Sequence, residues 1–105
     1  MDYAKLELEA TNRRFEEVCS QWRLTPDETS ILVDPAMLRQ PVLIERRKRL
    51  LIELDELLRC ILGSERVSGW LRTEVGGGPD PLTLLVVDDA YLPAMLGAAR
   101  SIAER

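Results

Sequence analysis

Nucleophilic chemistry at a thiol would have to start from Cys19 or Cys60, and the chain contains no histidine to activate either. A thiol attacks as its thiolate, which a neighbouring base or cation must stabilise. Histidine is the commonest such base and the commonest metal ligand. The two cysteines lie far apart, each on an apolar face of a predicted helix. They read as two buried free thiols; a disulfide is the alternative and requires an oxidising compartment. No Cys or His cluster has metal-ligand spacing. The pairs Glu16/Glu17 and Asp88/Asp89 are adjacent in sequence, and helical neighbours one residue apart do not face one site. The run Gly76, Gly77, Gly78 lacks the Lys-Ser/Thr that completes a phosphate-binding loop, and no strand precedes it. These residues predict no enzyme, no cofactor and no metal centre.

The whole-chain numbers narrow the partners. At 105 residues the chain is one domain, or one domain with a helical appendage. Apolar residues make up 46%, enough for a core. A formal charge of −4 argues against a dedicated nucleic-acid binder, though it leaves room for a local basic patch. Met1 to Ala10 is too polar and acidic for a signal peptide, and no apolar run reaches the ~18 residues that cross a membrane. A cytoplasmic location is expected.

The elements that would position functional residues read as helices throughout. Residues 2–22 place Leu8, Phe15 and Trp22 seven apart, with Val18 and Cys19 on the same face and acidic residues in the first turns. Thr25, Pro26 and Glu28 spell an N-cap, a first helical position and a capping box for a helix over 26–33. Asp34-Pro35 predicts another short helix, ending near Gln40 because Pro41 follows. The longest helix spans 42–62. Leu43, Leu50 and Leu57 recur every seven residues, with Leu54 and Ile61 at the offset positions. Leu51, Leu58 and Leu62 widen that stripe, which serves either a shared core plus a dimer contact or an intramolecular core alone. Arg46, Arg47, Lys48 and Arg49 form the one dense charge run. They read as a solvated helical turn flanked by Glu45 and Glu53, or as phosphate contacts.

The remaining chain, 64–105, reads as a packing module and a last helix. Ser64 can cap a short helix whose face carries Val67, Trp70 and Leu71, with Trp70 buried. Gly76, Gly77, Gly78, Pro79 and Pro81 stop that helix, and Pro81 opens another through Val87. Either Asp88 or Asp89 can cap the last helix. Leu92, Met95, Leu96, Ala99, Ile102 and Ala103 form its core face. Ala94, Gly97, Ala98 and Ser101 form a second face of small residues, suited to a close partner or simply an ordinary surface. Arg100, Glu104 and Arg105 give it a charged end.

Trp70-Leu71, the glycines 76–78, Pro81-Leu82-x-Leu84-Leu85 and a following helix together resemble the toxin-binding domain of Xre/MbcA/ParS-type antitoxins. The chain departs from that pattern in having Thr73-Glu74 where many members have Pro-Asn, and in a loop about two residues shorter. Trp22-x-Leu24-Thr25-x-x-Glu28 with Ile31-Leu32 resembles the opening of the helix-turn-helix region in the same family. A working motif needs a second helix long enough for the major groove. This chain allows only Ala36 to Gln40, with Arg39 and Gln40 as candidate readers and Asp34 where a turn glycine is usual. The expected architecture is all-α, with six or seven helices. A degenerate helix-turn-helix-like region over 1–41 precedes a long helix and toxin-binding unit over 42–105. The resemblance implies an antitoxin whose partner is a RES-domain toxin, consuming NAD or using it for ADP-ribosylation, with its NAD pocket blocked sterically. Trp70 and Leu71 would be scaffold, and Gly97, Ala98 and Ser101 the close-contact face. From their position, Arg100, Glu104 and Arg105 would reach toward the pocket. A homodimer through helical contacts is expected. The alternative function is a DNA-binding autoregulator of its operon, using Arg39, Gln40, Arg46, Arg47, Lys48 and Arg49.

Overall fold

Helix boundaries in this chain follow from local capping chemistry. The computed structural model describes residues 3–34, 39–74, 77–87 and 91–104. Among them are six α-helices and no strand: α1 Tyr3–Gln21, α2 Pro26–Leu32, α3 Pro41–Leu62, α4 Val67–Leu71, α5 Pro81–Val87 and α6 Tyr91–Ala103. The fold is all-α. The chain divides into two compact units, Met1–Ile52 and Glu53–Arg105, with the boundary falling inside α3.

In the first unit, α1 ends in a Schellman motif. Leu24 N–H donates to the Cys19 carbonyl at 3.0 Å and Arg23 N–H to that of Ser20 at 3.1 Å. Arg23 holds the left-handed position at φ 55°, where glycine is usual. The capping box of α2 forms as its sequence predicts. Glu28 N–H donates to Thr25 Oγ1 at 3.1 Å, and Thr25 N–H donates to Glu28 Oε1 at 2.9 Å. Phe15, Val18, Trp22, Leu32, Val33 and Leu51 are buried. Leu8 does not join them; it is exposed with Tyr3 and Leu6 at the start of α1. Of the acidic residues expected in the first turns, Glu7 and Glu9 stand in the second turn of α1, and Asp2 lies outside the described residues. The short helix expected to end at Gln40 does not include its last two residues: Arg39 has φ 60° and Gln40 lies in a bend. Ala36 and the rest of 35–38 lie outside the described residues.

In the second unit, α3 ends at Gly63, whose φ of 87° takes the chain out of the helix. Ser64 does not cap α4. Residues 64–66 form a turn, and Arg66 precedes the helix without a side-chain cap. Asp80 caps α5 instead: its Oδ1 accepts from Thr83 N–H at 2.8 Å, with Pro81 in the first helical position. Gly77 takes φ 75°, a conformation in which a Cβ is strained. Gly76, Asp88 and Asp89 lie outside the described residues. Leu54, Leu58, Val67, Leu71, Leu82, Leu85, Leu92, Met95, Leu96 and Ala99 are buried.

The buried row of α3 differs from the predicted heptad. Leu51, Leu54 and Leu58 are buried, whereas Leu43 is 40% exposed and Leu50 and Leu57 are half-buried. At about 100° per residue, a shift of one position carries a stripe more than a quarter-turn round the helix. Asp55 lies in that buried row, 1% exposed, with its Oδ2 2.6 Å from Arg59 Nη2.

Candidate protein-binding groove

The helices of the second unit leave an apolar groove of about 360 Å³. Leu58, Ile61 and Leu62 of α3 form one wall, and Trp70 of α4 contributes its ring. The opposite wall is α6, through Tyr91, Ala94, Met95, Ala98, Ala99 and Ile102. Its place follows from helix geometry. Tyr91, Ala94, Ala98 and Ile102 recur at spacings of three and four, so they fall on one side of α6. Leu92, Leu96 and Ala99 lie on the adjacent side, where they are buried. The alanines leave room for the hollow, and the large side chains at 58, 61, 62, 70 and 91 rim it.

Round α6 from the groove, the exposed residues follow in a band. Ala98, Ala94, Ser101, Gly97, Glu104 and Arg100 succeed one another by the 100° advance of the helix, and all six are exposed. A Cβ built on Gly97 would meet nothing within 4 Å, so no packing within the described residues calls for glycine there. At the far edge of this band, Arg100 grips Glu53 of α3. Nε donates to Oε1 at 3.2 Å and Nη2 to Oε2 at 2.6 Å. The hydrogen bond and charge of Glu53 push the arginine pKa above its ordinary value.

The structure therefore sorts the residues expected to bind a partner. Ala98 lines the groove; Gly97 and Ser101 form the exposed band beside it; Glu104 is exposed; Arg100 is exposed but ion-paired. Arg105 lies outside the described residues. Of the scaffold motif, Leu71, Pro81, Leu82 and Leu85 are buried, Leu84 and Gly78 are half-buried, and Gly77 makes its turn. Trp70 is corrected: it is half-buried and faces the groove, while the fully buried tryptophan is Trp22, 1% exposed. Met95 is buried as expected, but Ile102 and Ala103, also expected in the core face, are exposed because they lie at the end of α6; Tyr91 is not singled out by the sequence. The signal that could have found the groove is the pairing of Tyr91 and Ile102 with alanines on one helical side.

The basic run is organised differently. Arg47 Nε donates to the Leu32 carbonyl. Lys48 Nζ donates to Asn12 Oδ1 at 3.0 Å and sits 5.4 Å from the centre of the Phe15 ring. Arg49 Nη2 lies 2.7 Å from Glu45 and 3.6 Å from Glu7. Arg46 is exposed beside a small hollow of about 150 Å³ that it shares with Val42, Glu45 and Arg49. Three of the four basic side chains thus make contacts within their own unit. Arg39 and Gln40 are exposed but not helical, so they are not presented as readers on a recognition helix.

Both thiols are free. Cys19 is half-buried and receives a hydrogen bond from Thr29; burial is the main cause that pushes its pKa up. Cys60 is exposed, contrary to the expected burial, because it lies about 200° round α3 from Leu58. Among the described residues no cluster of His, Cys, Asp or Glu could hold a metal ion. No described helix is long and apolar enough to cross a membrane. No family model, curated protein or solved structure matches this chain.

Proposed function

We propose that this chain is a cytoplasmic antitoxin whose second unit binds a RES-domain toxin and blocks its NAD pocket. The observation that carries the proposal is the surface of α6: an apolar groove continuous with an exposed band of small residues, with no packing reason for Gly97. Large apolar hollows with exposed approaches are where proteins receive partners. The motif of Trp70, Leu71, Pro81, Leu82, Leu84 and Leu85 supports the family assignment, and of these residues Trp70 lines the groove. A homodimer belongs to the same proposal, with Leu43, Leu50 and Leu57 of α3 offering the exposed or half-buried seam. The autoregulator reading has less support, because Arg47, Lys48 and Arg49 are engaged within their unit.

The test is co-expression with the product of the adjacent gene, followed by affinity purification of this chain. The expected result is a co-purifying protein whose NAD-consuming activity emerges once this chain is removed. Truncation before Arg100 is expected to restore toxicity while the far-ultraviolet spectrum stays helical. Absence of any co-purifying protein, with a neighbour harmless on its own, would overturn the proposal.

A further inference from the structure

The contact between Arg100 and Glu53 is more specific than a passing surface pair. Glu53 takes the side-on fork of the guanidinium, with both of its oxygens engaged. An arginine carries five N–H donors, one on Nε and two on each terminal nitrogen. Two are used here, which leaves both on Nη1 and the outward one on Nη2. Of these, one on each terminal nitrogen forms the end-on fork, the other edge through which arginine grips a planar oxyanion. Arg100 remains half exposed, so that fork is open to an incoming group. Its location matters as well. Arg100 closes the exposed band of α6 at the edge opposite the groove, so a partner lying across Gly97 and Ser101 reaches both.

We propose that Glu53 is a positioning residue for Arg100: it fixes the guanidinium plane so that the end-on fork meets a carboxylate of the bound partner. This rests on the antitoxin reading above. The physical gain is preorganisation. A free arginine side chain samples many rotamers, and ordering them on binding costs affinity. Glu53 has already removed part of that freedom in the unbound chain. Glu104, just past the end of α6, is a second carboxylate whose charge acts on Arg100. It is four residues from Arg100 in sequence, whereas Glu53 holds the side chain from a different helix.

The experiment measures the dissociation constant between the full chain and the adjacent gene's product for wild type, Glu53→Gln, Arg100→Ala and the double variant. Circular dichroism and thermal unfolding verify that each variant folds. Arg100→Ala is expected to weaken binding about ten- to a hundredfold. Glu53→Gln keeps the shape but loses the charge that holds the fork, and is expected to weaken binding about two- to tenfold. In the Arg100→Ala background, Glu53→Gln is expected to add nothing. A readout independent of the partner is the ¹⁵N resonance of Arg100 Nε, with slow exchange and hindered rotation in wild type and free rotation in Glu53→Gln.

Unchanged or tighter binding by Glu53→Gln overturns the inference, and tighter binding would mean that Glu53 competes with the partner. An equal loss in both backgrounds, or an Arg100→Ala variant that binds normally, also overturns it. Failure of the wild-type chain to bind at all overturns the antitoxin reading itself, and the inference falls with it.

Discussion

The basic run of α3 and the small-residue band of α6 are the two surfaces of this chain most suggestive of a partner, and they are built oppositely. Around Arg47, Lys48 and Arg49, charged side chains reach back to the Leu32 carbonyl, Asn12, Phe15, Glu45 and Glu7. Along α6, apolar and small side chains at Ala94, Gly97, Ala98 and Ile102 stay exposed. The conspicuous charges hold the fold, and the inconspicuous alanines and glycine remain free for contact. Density of charge in a sequence is therefore a poor guide to which surface is available.

Several substitutions would break or sharpen this contrast. The largest effect concerns the two tryptophans. Trp22→Ala is expected to cost about 3–5 kcal/mol of stability, since it removes a fully buried ring. Trp70→Ala should cost less than half of that, as its ring is half-exposed, but should weaken partner binding where Trp22→Ala leaves the groove's lining intact. Urea unfolding and the co-purification assay read the two quantities separately; equal costs would refute the assignment of the two rings.

Lys48→Met comes next. It removes the hydrogen bond to Asn12 and the cation over Phe15, and is expected to cost about 1–2 kcal/mol. Arg46→Ala should change stability by less than about 0.5 kcal/mol. If the two cost the same, the basic run does not clamp the first unit. Gly97→Ala is a smaller change and of opposite sign. It should stabilise the free chain by roughly 0.5–1 kcal/mol, because a helical Cβ there meets open space. Gly97→Leu should also fold, yet abolish partner binding; normal binding by that variant would remove the band from the interface.

The thiols give the least energetic and most easily observed difference. Iodoacetamide should label exposed Cys60 quickly and half-buried Cys19 slowly, followed by mass spectrometry of native protein. Burial raises the Cys19 pKa, so the folded chain disfavours its thiolate. Any contribution to stability is full below the unfolded thiol's pKa and declines as pH rises through the folded one. Unfolding at strongly alkaline pH should accordingly ease less in Cys19→Ala than in wild type.

The sequence was most legible where chemistry is local. Thr25-Pro26-x-Glu28 specifies its capping box without reference to anything distant, and the box forms. The helical identity of nearly every segment followed from similar signals. Burial was harder, because several apolar rows on one helix satisfy the same periodicity. On α3, Leu43-Leu50-Leu57 and Leu51-Leu54-Leu58 are equally regular, and the neighbouring helices select the second. Trp22 was read correctly on the apolar face of α1, while the same ambiguity put Trp70 in the core, although it is only half-buried. Asp55 was invisible for a related reason: nothing local says that a carboxylate will stand in the buried row. The groove depends on α3, α4 and α6 meeting, so no single stretch encodes it. The Ser64 cap failed because a three-residue turn follows Gly63 before α4 begins.

The lining of the groove also fixes how any occupant would bind thermodynamically. Ten residues contribute to it, and their side chains offer water few polar partners beyond the Tyr91 hydroxyl and the Trp70 indole. Filling such a space transfers apolar surface out of water, and the robust signature of that transfer is a negative heat-capacity change. The enthalpy of complex formation would then grow more favourable on warming, and calorimetry across a range of temperatures would distinguish a groove that is filled from one that is merely bridged by charges at its edge.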